Sequence, residues 1–203
     1  VITGAGRRKG LGEAMARRLA AEGCTVVITD IGRPQGEHMP EGAIGTTDEM
    51  QEIVAEINGD GGEAAAVSCN VLEPAEVEAA ATFAVDTFGG LDIWVNNAGI
   101  GYLMKPIVEM SIDEWDTVLG VNLRGVFLGI QAAARIMIEQ ARGGKIINIG
   151  SQASKSGFGH ASAYTTSKHG IVGLTRVAAM ELGAHGINVN TICPNHVTTG
   201  LGA

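Results

Sequence analysis

The sequence predicts an α/β fold in which a doubly wound parallel sheet is covered by helices on both faces, giving three layers. Three observations lead there. Short apolar, β-branched runs alternate with longer stretches whose apolar residues recur at three- and four-residue spacing, the pattern of repeated strand–helix–strand units. Each short run is followed within three residues by glycine, asparagine, aspartate or serine, the residues that turn a chain at a sheet edge. The 203 residues, with 45% hydrophobic content and 30 glycines, suit one sizeable domain spanning 1–203 rather than two small ones.

In chain order, residues 1–3 read as the tail of a strand, which TGAGRRKGLG turns into a helix over 11–22, LGEAMARRLAAE. The β-branched run TVVIT makes 25–29 a second strand, stopping at Asp30. A connection at 31–47 leads to a helix over 48–58, and AAAVS at 64–68 is the third strand. Pro74 opens a helix over 74–88, a position where its missing N–H costs nothing. Strands at 91–95, 145–149 and 187–192 then alternate with helices over 112–140 and 163–183. The chain opens in mid-strand without an initiator methionine and stops in the loop TGLGA, so it is expected to be part of a longer natural chain.

A net charge of −8 and a pI near 5.1 would repel a phosphate backbone, so a small molecule is the expected partner and nucleic acid is not. Cys24, Cys69 and Cys193 lie far apart among apolar neighbours, in no C-x-x-C pattern, and read as ordinary buried thiols in a reducing compartment. No stretch reads as long and apolar enough to span a bilayer and no charged-then-apolar leader precedes the first motif, so the expected location is cytoplasmic, without a membrane partner. His160, His169 and His196 have no metal-like spacing, and no metal is expected.

Ligands of an open parallel sheet bind beyond the carboxyl ends of its strands. Those ends carry a glycine-rich turn over 4–12, Asp30, Asn70, the run Asn96-Asn97-Ala98-Gly99, Ser151 and Pro194-Asn195. Any one of these serves as turn chemistry; all six on one edge describe a lined crevice. In the glycine turn, Gly4, Gly10 and Gly12 around Leu11 allow close backbone approach, so that a pyrophosphate can rest on the N–H groups opening the helix. Asp30 lies eighteen residues after Gly12 at a strand end, close to the spacing at which a carboxylate accepts hydrogen bonds from an adenosine ribose. A 2′-phosphate there would be repelled, which favours NAD over NADP. Arg7, Arg8 and Lys9 at the tip of the turn are the contrary sign, since they could attract that phosphate.

Tyr164 and Lys168 sit four residues apart on one helical face, with Ser151 thirteen residues before the tyrosine at a strand end. With TGAGRRKGLG, NNAG, Ser151 and YTTSK in this order, the chain resembles the short-chain dehydrogenase/reductase family over nearly its whole length. The resemblance implies a Rossmann-type sheet of about seven strands, a nicotinamide cofactor and a homotetramer. By motif it assigns Asn122 in VNLRGVF, Ser151, Tyr164 and Lys168 as the catalytic set, with Asn122 holding a water of the proton relay. It makes Asn97 a residue shaping the site, puts Ala98, Gly99, Asn70 and Val71 beside the cofactor, and brings Pro194, Val197 and Thr199 to the nicotinamide. It further implies a substrate lid, a last helix and a last strand beyond Ala203.

The chain departs from the family pattern in four places. Five residues, not three, separate Gly4 from Gly10, so the turn must bulge; Asn70 replaces the usual aspartate; Asn195 replaces the usual glycine after the proline; and 31–47 is a longer connection than usual. That connection reads as a surface loop, although its enlargement also resembles family members thought to hold NAD(H) tightly and pass electrons to another carrier.

Oxidising a secondary alcohol requires a base for its proton while hydride leaves for the nicotinamide. An ordinary phenol titrates at about 10, and making one a base near pH 7 takes roughly 4 kcal/mol of preferential phenolate stabilisation, which a lysine one helical turn away supplies. A strand-end serine such as Ser151 can donate to the substrate oxygen as charge develops. Tyr102, Met104, Gln152, Phe158, His160 and His196 are candidate substrate contacts. The reading is an oxidoreductase moving hydride between NAD and a small secondary alcohol or ketone. The alternatives are a 3-oxoacyl carrier-protein reductase, disfavoured by Asp30, and a non-catalytic dinucleotide sensor, which would have no need of the base.

Overall fold

The computed structural model describes residues 1–33, 38, 42, 44–101, 103–195 and 197. Among them, β1 (Ile2–Thr3), β2 (Thr25–Asp30), β3 (Glu63–Ser68), β4 (Ile93–Asn96), β5 (Gly144–Ile149) and β6 (Ile187–Ile192) pair in parallel in the order β3-β2-β1-β4-β5-β6. Matched pairs such as Ile2 with Ile28 and Asn96 with Asn148 bring the strand ends to one edge. The order runs outward in both directions from β1 and β4, so the switch point lies between the glycine turn after β1 and the NNAG run after β4. Six strands are described where the resemblance implies seven, and the residues described after β6 are too few for another crossover and strand.

Strand side chains alternate between faces, and the two faces build two cores. Val26, Ile28 and Val95 face α1 (Leu11–Ala21) and α2 (Thr47–Gly59), packing with Ala16, Met50, Ile53 and Ile57. Val27, Trp94 and Ile146 face the other way, against α3 (Pro74–Phe88), α5 (Gly125–Gln140) and α6 (Ser162–Leu182). This is the Rossmann-type three-layer arrangement. A buried polar chain runs through the second core: Trp94 Nε1 donates to Asn96 Oδ1 at 2.7 Å, Asn96 Nδ2 to Asn148 Oδ1 at 2.8 Å, and Asn148 Nδ2 to Thr175 Oγ1 at 2.8 Å. Every member is partnered, so the chain ties α6 to β4 and β5 in one register.

Four expectations are corrected. Residues 91–95 do not form the fourth strand as such; it runs Ile93–Asn96, because the N–H and carbonyl of Leu91 are paired by the Gln140 side chain instead of a neighbouring strand. The helix over 112–140 is interrupted: α4 (Ile112–Leu119) gives way to a π-helical turn at Gly120–Arg124 before α5. The stretch Ile112–Gln140 does reach membrane-spanning length, with a mean hydropathy of 1.3 in its most apolar window, but 56% of that window is buried in the protein, where Ala133 and Met137 serve the core. Only Cys69 is buried; Cys24 and Cys193 flank strand ends and are half-buried.

Candidate active site

A cleft of about 440 Å³ opens along the strand ends, within the size range of small-molecule sites. One end is built by the glycine turn. Gly4 has φ +62° and lies so close to Ala98 that an added Cβ would approach its Cα to 2.6 Å. Asn97 fastens the two switch-point loops together, its Nδ2 donating to the carbonyls of Thr3 at 2.8 Å and Gly4 at 2.9 Å. Unlike α2 and α4, whose Thr46 and Ser111 form capping boxes, α1 begins at Gly10 with no side-chain cap, so its first N–H groups remain for an anion. A Cβ on Gly12 would lie 2.6 Å from Ala5 Cα and 2.7 Å from the Gly4 carbonyl oxygen. Gly12→Ala is therefore expected to displace the turn and destabilise the protein by roughly 1–3 kcal/mol, read from denaturant midpoints.

Asp30 ends β2 with its carboxylate nearly buried, accepting the N–H of Gly6 at 3.1 Å and of Ile31 at 2.9 Å. Burial pushes its carboxyl up, against the opposing effect of those N–H donors and of Arg7. The 31–47 connection does more than run over the surface: Ile44 lines the cleft, and Gly45 packs so tightly on Gly6 that a Cβ would overlap its backbone.

At the other end, Ser151, Tyr164 and Lys168 line the same cleft. Ser151 Oγ accepts the N–H of Ala153 at 3.1 Å, which orients the side chain and leaves its hydroxyl hydrogen to be donated. The Tyr164 ring lies against Gly101, where a Cβ would stand 3.3 Å from Cε2. Lys168 is 6% exposed, donates from Nζ to the Ile149 carbonyl at 2.8 Å and stands 5.7 Å from the Tyr164 ring centre. Burial lowers its pKa from 10.5 to about 8, with Cys193 opposing.

Asn122 is fully buried in the π-helical turn and does not line the cleft. Its Oδ1 accepts the Ile100 N–H at 2.8 Å, while Nδ2 donates to the Ile100 carbonyl at 2.9 Å and to Ser167 Oγ at 3.2 Å. Ser167 in turn donates to the Tyr164 carbonyl at 2.7 Å. The side chain thus holds the chain after β4 against α6, and π-turns, rare in themselves, fall frequently at functional sites.

Of the residues read from sequence, Gly4, Gly10, Leu11, Asp30, Asn70, Val71, Asn97, Ala98, Gly99, Pro194 and Val197 share the cleft with Ser151, Tyr164 and Lys168. Gly12 stands behind it, and Thr199, His196 and Tyr102 lie outside the described residues. Met104, Gln152 and Phe158 line the mouth; His160 is exposed and outside it, its carbonyl accepting the Lys105 N–H at 2.9 Å. Of the three bases read as possible phosphate contacts, Arg7 lines the cleft and Arg8 and Lys9 do not; Gly6 and Ile44 belong to the site although neither was singled out for it, and only the unusual length of the turn and of 31–47 hinted at them.

A switch-point cleft with a nearly buried carboxylate at one end and a serine, tyrosine and lysine at the other is the arrangement of an oxidoreductase of the Rossmann class. The family model for short chain dehydrogenases matches residues 1–203, and the chain belongs to that family. It is 38% identical to D-threitol dehydrogenase of Mycolicibacterium smegmatis over 202 residues, covering 100% of this chain and 71% of the relative. It is 38% identical to cyclohexanol dehydrogenase of an Acinetobacter species over 201 residues, covering 99% of this chain and 73% of the relative. The structure of carveol dehydrogenase from Mycobacterium avium in complex with NAD superposes with a TM-score of 0.91 at 29% identity, covering 98% of this chain and 71% of that one. The protein is accordingly an oxidoreductase acting on CH–OH groups.

Proposed function

We propose that this protein transfers hydride between NAD(H) and a small secondary alcohol or its ketone, with Tyr164 as the acid/base. The observation that carries the proposal is one cleft lined by Asp30 at one end and by Ser151, Tyr164 and Lys168 at the other. The cleft fits a dinucleotide: the uncapped start of α1 and the glycines that exclude any Cβ would receive the pyrophosphate, and Asp30 the adenosine ribose. Asn70, Val71 and Asn97–Gly99 would flank the nucleotide, with Pro194, Val197 and Thr199 toward the nicotinamide. When bound, NAD supplies the hydride acceptor.

The chain's own part is proton handling and orientation. Ser151 donates its hydroxyl hydrogen to the substrate oxygen, and Tyr164 accepts the proton leaving that oxygen. The Lys168 ammonium, steered by the Ile149 carbonyl, favours negative charge on the phenol oxygen. Asn122 fixes the chain around Ile100 and thereby the wall opposite Tyr164. Met104 and Phe158 make much of the mouth apolar and Gln152 adds a polar contact, which suits a neutral, cyclic or polyhydroxylated alcohol; the names of the two alcohol dehydrogenase relatives support this substrate class. A single domain, a homotetramer and a cytoplasmic setting, with neither nucleic acid nor membrane as partner, complete the proposal.

Incubation with a panel of secondary alcohols and NAD, followed by nicotinamide absorbance, tests it; NAD binding without turnover on any alcohol would favour the sensor. Asp30→Ala is expected to narrow the NAD over NADP preference by about tenfold in kcat/KM, since an anion near the 2′ position is removed. Better use of NADP by the unmodified protein would overturn the assignment of Asp30.

A further inference from the structure

Arg8 stands in the glycine turn two residues beyond Gly6, whose N–H holds Asp30, yet it does not line the cleft. Its guanidinium is turned to α2 instead. Nε and Nη2 donate to Glu52 Oε2 at 3.3 and 2.9 Å, and Nη1 and Nη2 donate to Glu56 at 3.3 and 2.7 Å. The helix that carries these two exposed carboxylates is fixed: α2 is anchored by its capping box and by buried Met50, Ile53 and Ile57, and Glu56 also takes Arg17 at 2.5 Å. Glu13 accepts the Lys9 N–H at 2.6 Å, pairs with Arg17 at 2.8 Å and stands 4.0 Å from Arg8 Nη1, outside hydrogen-bond reach of it.

We propose that Glu52 and Glu56 are specificity-determining residues, which hold Arg8 away from the adenosine end of the cleft and so deny a 2′-phosphate a second cation beside Arg7. The inference rests on the reading of Asp30 as the ribose partner. A single exposed ion pair would be a weak restraint, but here one guanidinium is chelated by two carboxylates on a fixed helix. Turning Arg8 to a phosphate would exchange two carboxylates for one dianion at most, with no net gain in opposite charge. Arg7, the base of this turn that does line the cleft, already acts on Asp30. The two additional residues of the turn thus place a base that the sequence presents as a phosphate ligand where it serves as a staple between the turn and α2.

Calorimetric titration with adenosine 2′,5′-bisphosphate and with adenosine 5′-monophosphate tests this without turnover. In an Asp30→Ala background, adding Glu52→Gln and Glu56→Gln is expected to tighten the bisphosphate about tenfold and leave the monophosphate unchanged, and Arg8→Ala added on top is expected to cancel the gain. Because Glu56 also serves Arg17, Glu52→Gln alone is the companion variant, expected to give a smaller gain of about threefold. No gain in either variant, or a gain that survives Arg8→Ala, overturns the proposal while Asp30 stands. Equal binding of the monophosphate by the unmodified and Asp30→Ala proteins would remove Asp30 from the ribose, and both readings would fall together.

Discussion

Tyr164→Phe is expected to lower kcat by about a thousandfold or more while NAD affinity stays within a few-fold of the unmodified protein. The substitution keeps the ring that packs on Gly101 and removes only the hydroxyl, so the wall of the cleft and its far end near Asp30 should be undisturbed. What is lost is the only phenol among the residues described in the cleft. Ser151 can still donate to the substrate oxygen, but a neutral serine is no base, and Lys168, mostly an ammonium at pH 7, has no lone pair to take a proton. Steady-state rates with the best alcohol, alongside a fluorescence titration with NADH, separate the two effects. Activity within a few-fold of the unmodified protein would sink the acid/base assignment.

Lys168→Met should abolish turnover and yet stabilise the protein in the absence of nucleotide. Burial lowers the lysine from 10.5 to about 8, so folding at neutral pH forces a charged group into a site that disfavours its charge. The folded protein therefore binds fewer protons than the unfolded chain between about pH 8 and 10.5, and stability rises with pH across that window. Below it the penalty is fully present, about 3 kcal/mol by linkage. Methionine removes that penalty but strands the Ile149 carbonyl, which takes back about 1–2 kcal/mol. The net expectation at pH 7 is a gain of about 1–2 kcal/mol, a rise in Tm of roughly 4 °C. Thermal melts of both proteins from pH 7 to 11 check it: the gain should shrink through the window and vanish or reverse above it. A variant less stable at pH 7 than at pH 11, relative to the unmodified protein, would contradict this account of Lys168.

The element order and the crevice were legible because their signals are local. Period-two and period-three-to-four patterns appear within a few residues, and the polar residue closing each strand is adjacent to it in the chain, so Asp30, Asn97, Ser151, Tyr164 and Lys168 could be named before any fold was known. The π-helical turn at Asn122 was not legible, since an inserted backbone register leaves the apolar pattern of 112–140 almost unchanged. The reach of 31–47 was also hidden, because a glycine pressed against another glycine looks in sequence like any loop glycine.

By itself the sequence determined the parallel three-layer sheet, the family, and which side chains stand at the strand ends, since each depends on neighbours in the chain. Only the tertiary structure decided what the basic turn does. Arg8 reads as a phosphate ligand until α2, whose Glu52 and Glu56 lie 44 and 48 residues further on, packs beside the turn and takes its guanidinium. The partner of a charge depends on which element the core brings beside it, and that is settled by how α1 and α2 pack on one face of the sheet rather than by spacing along the chain.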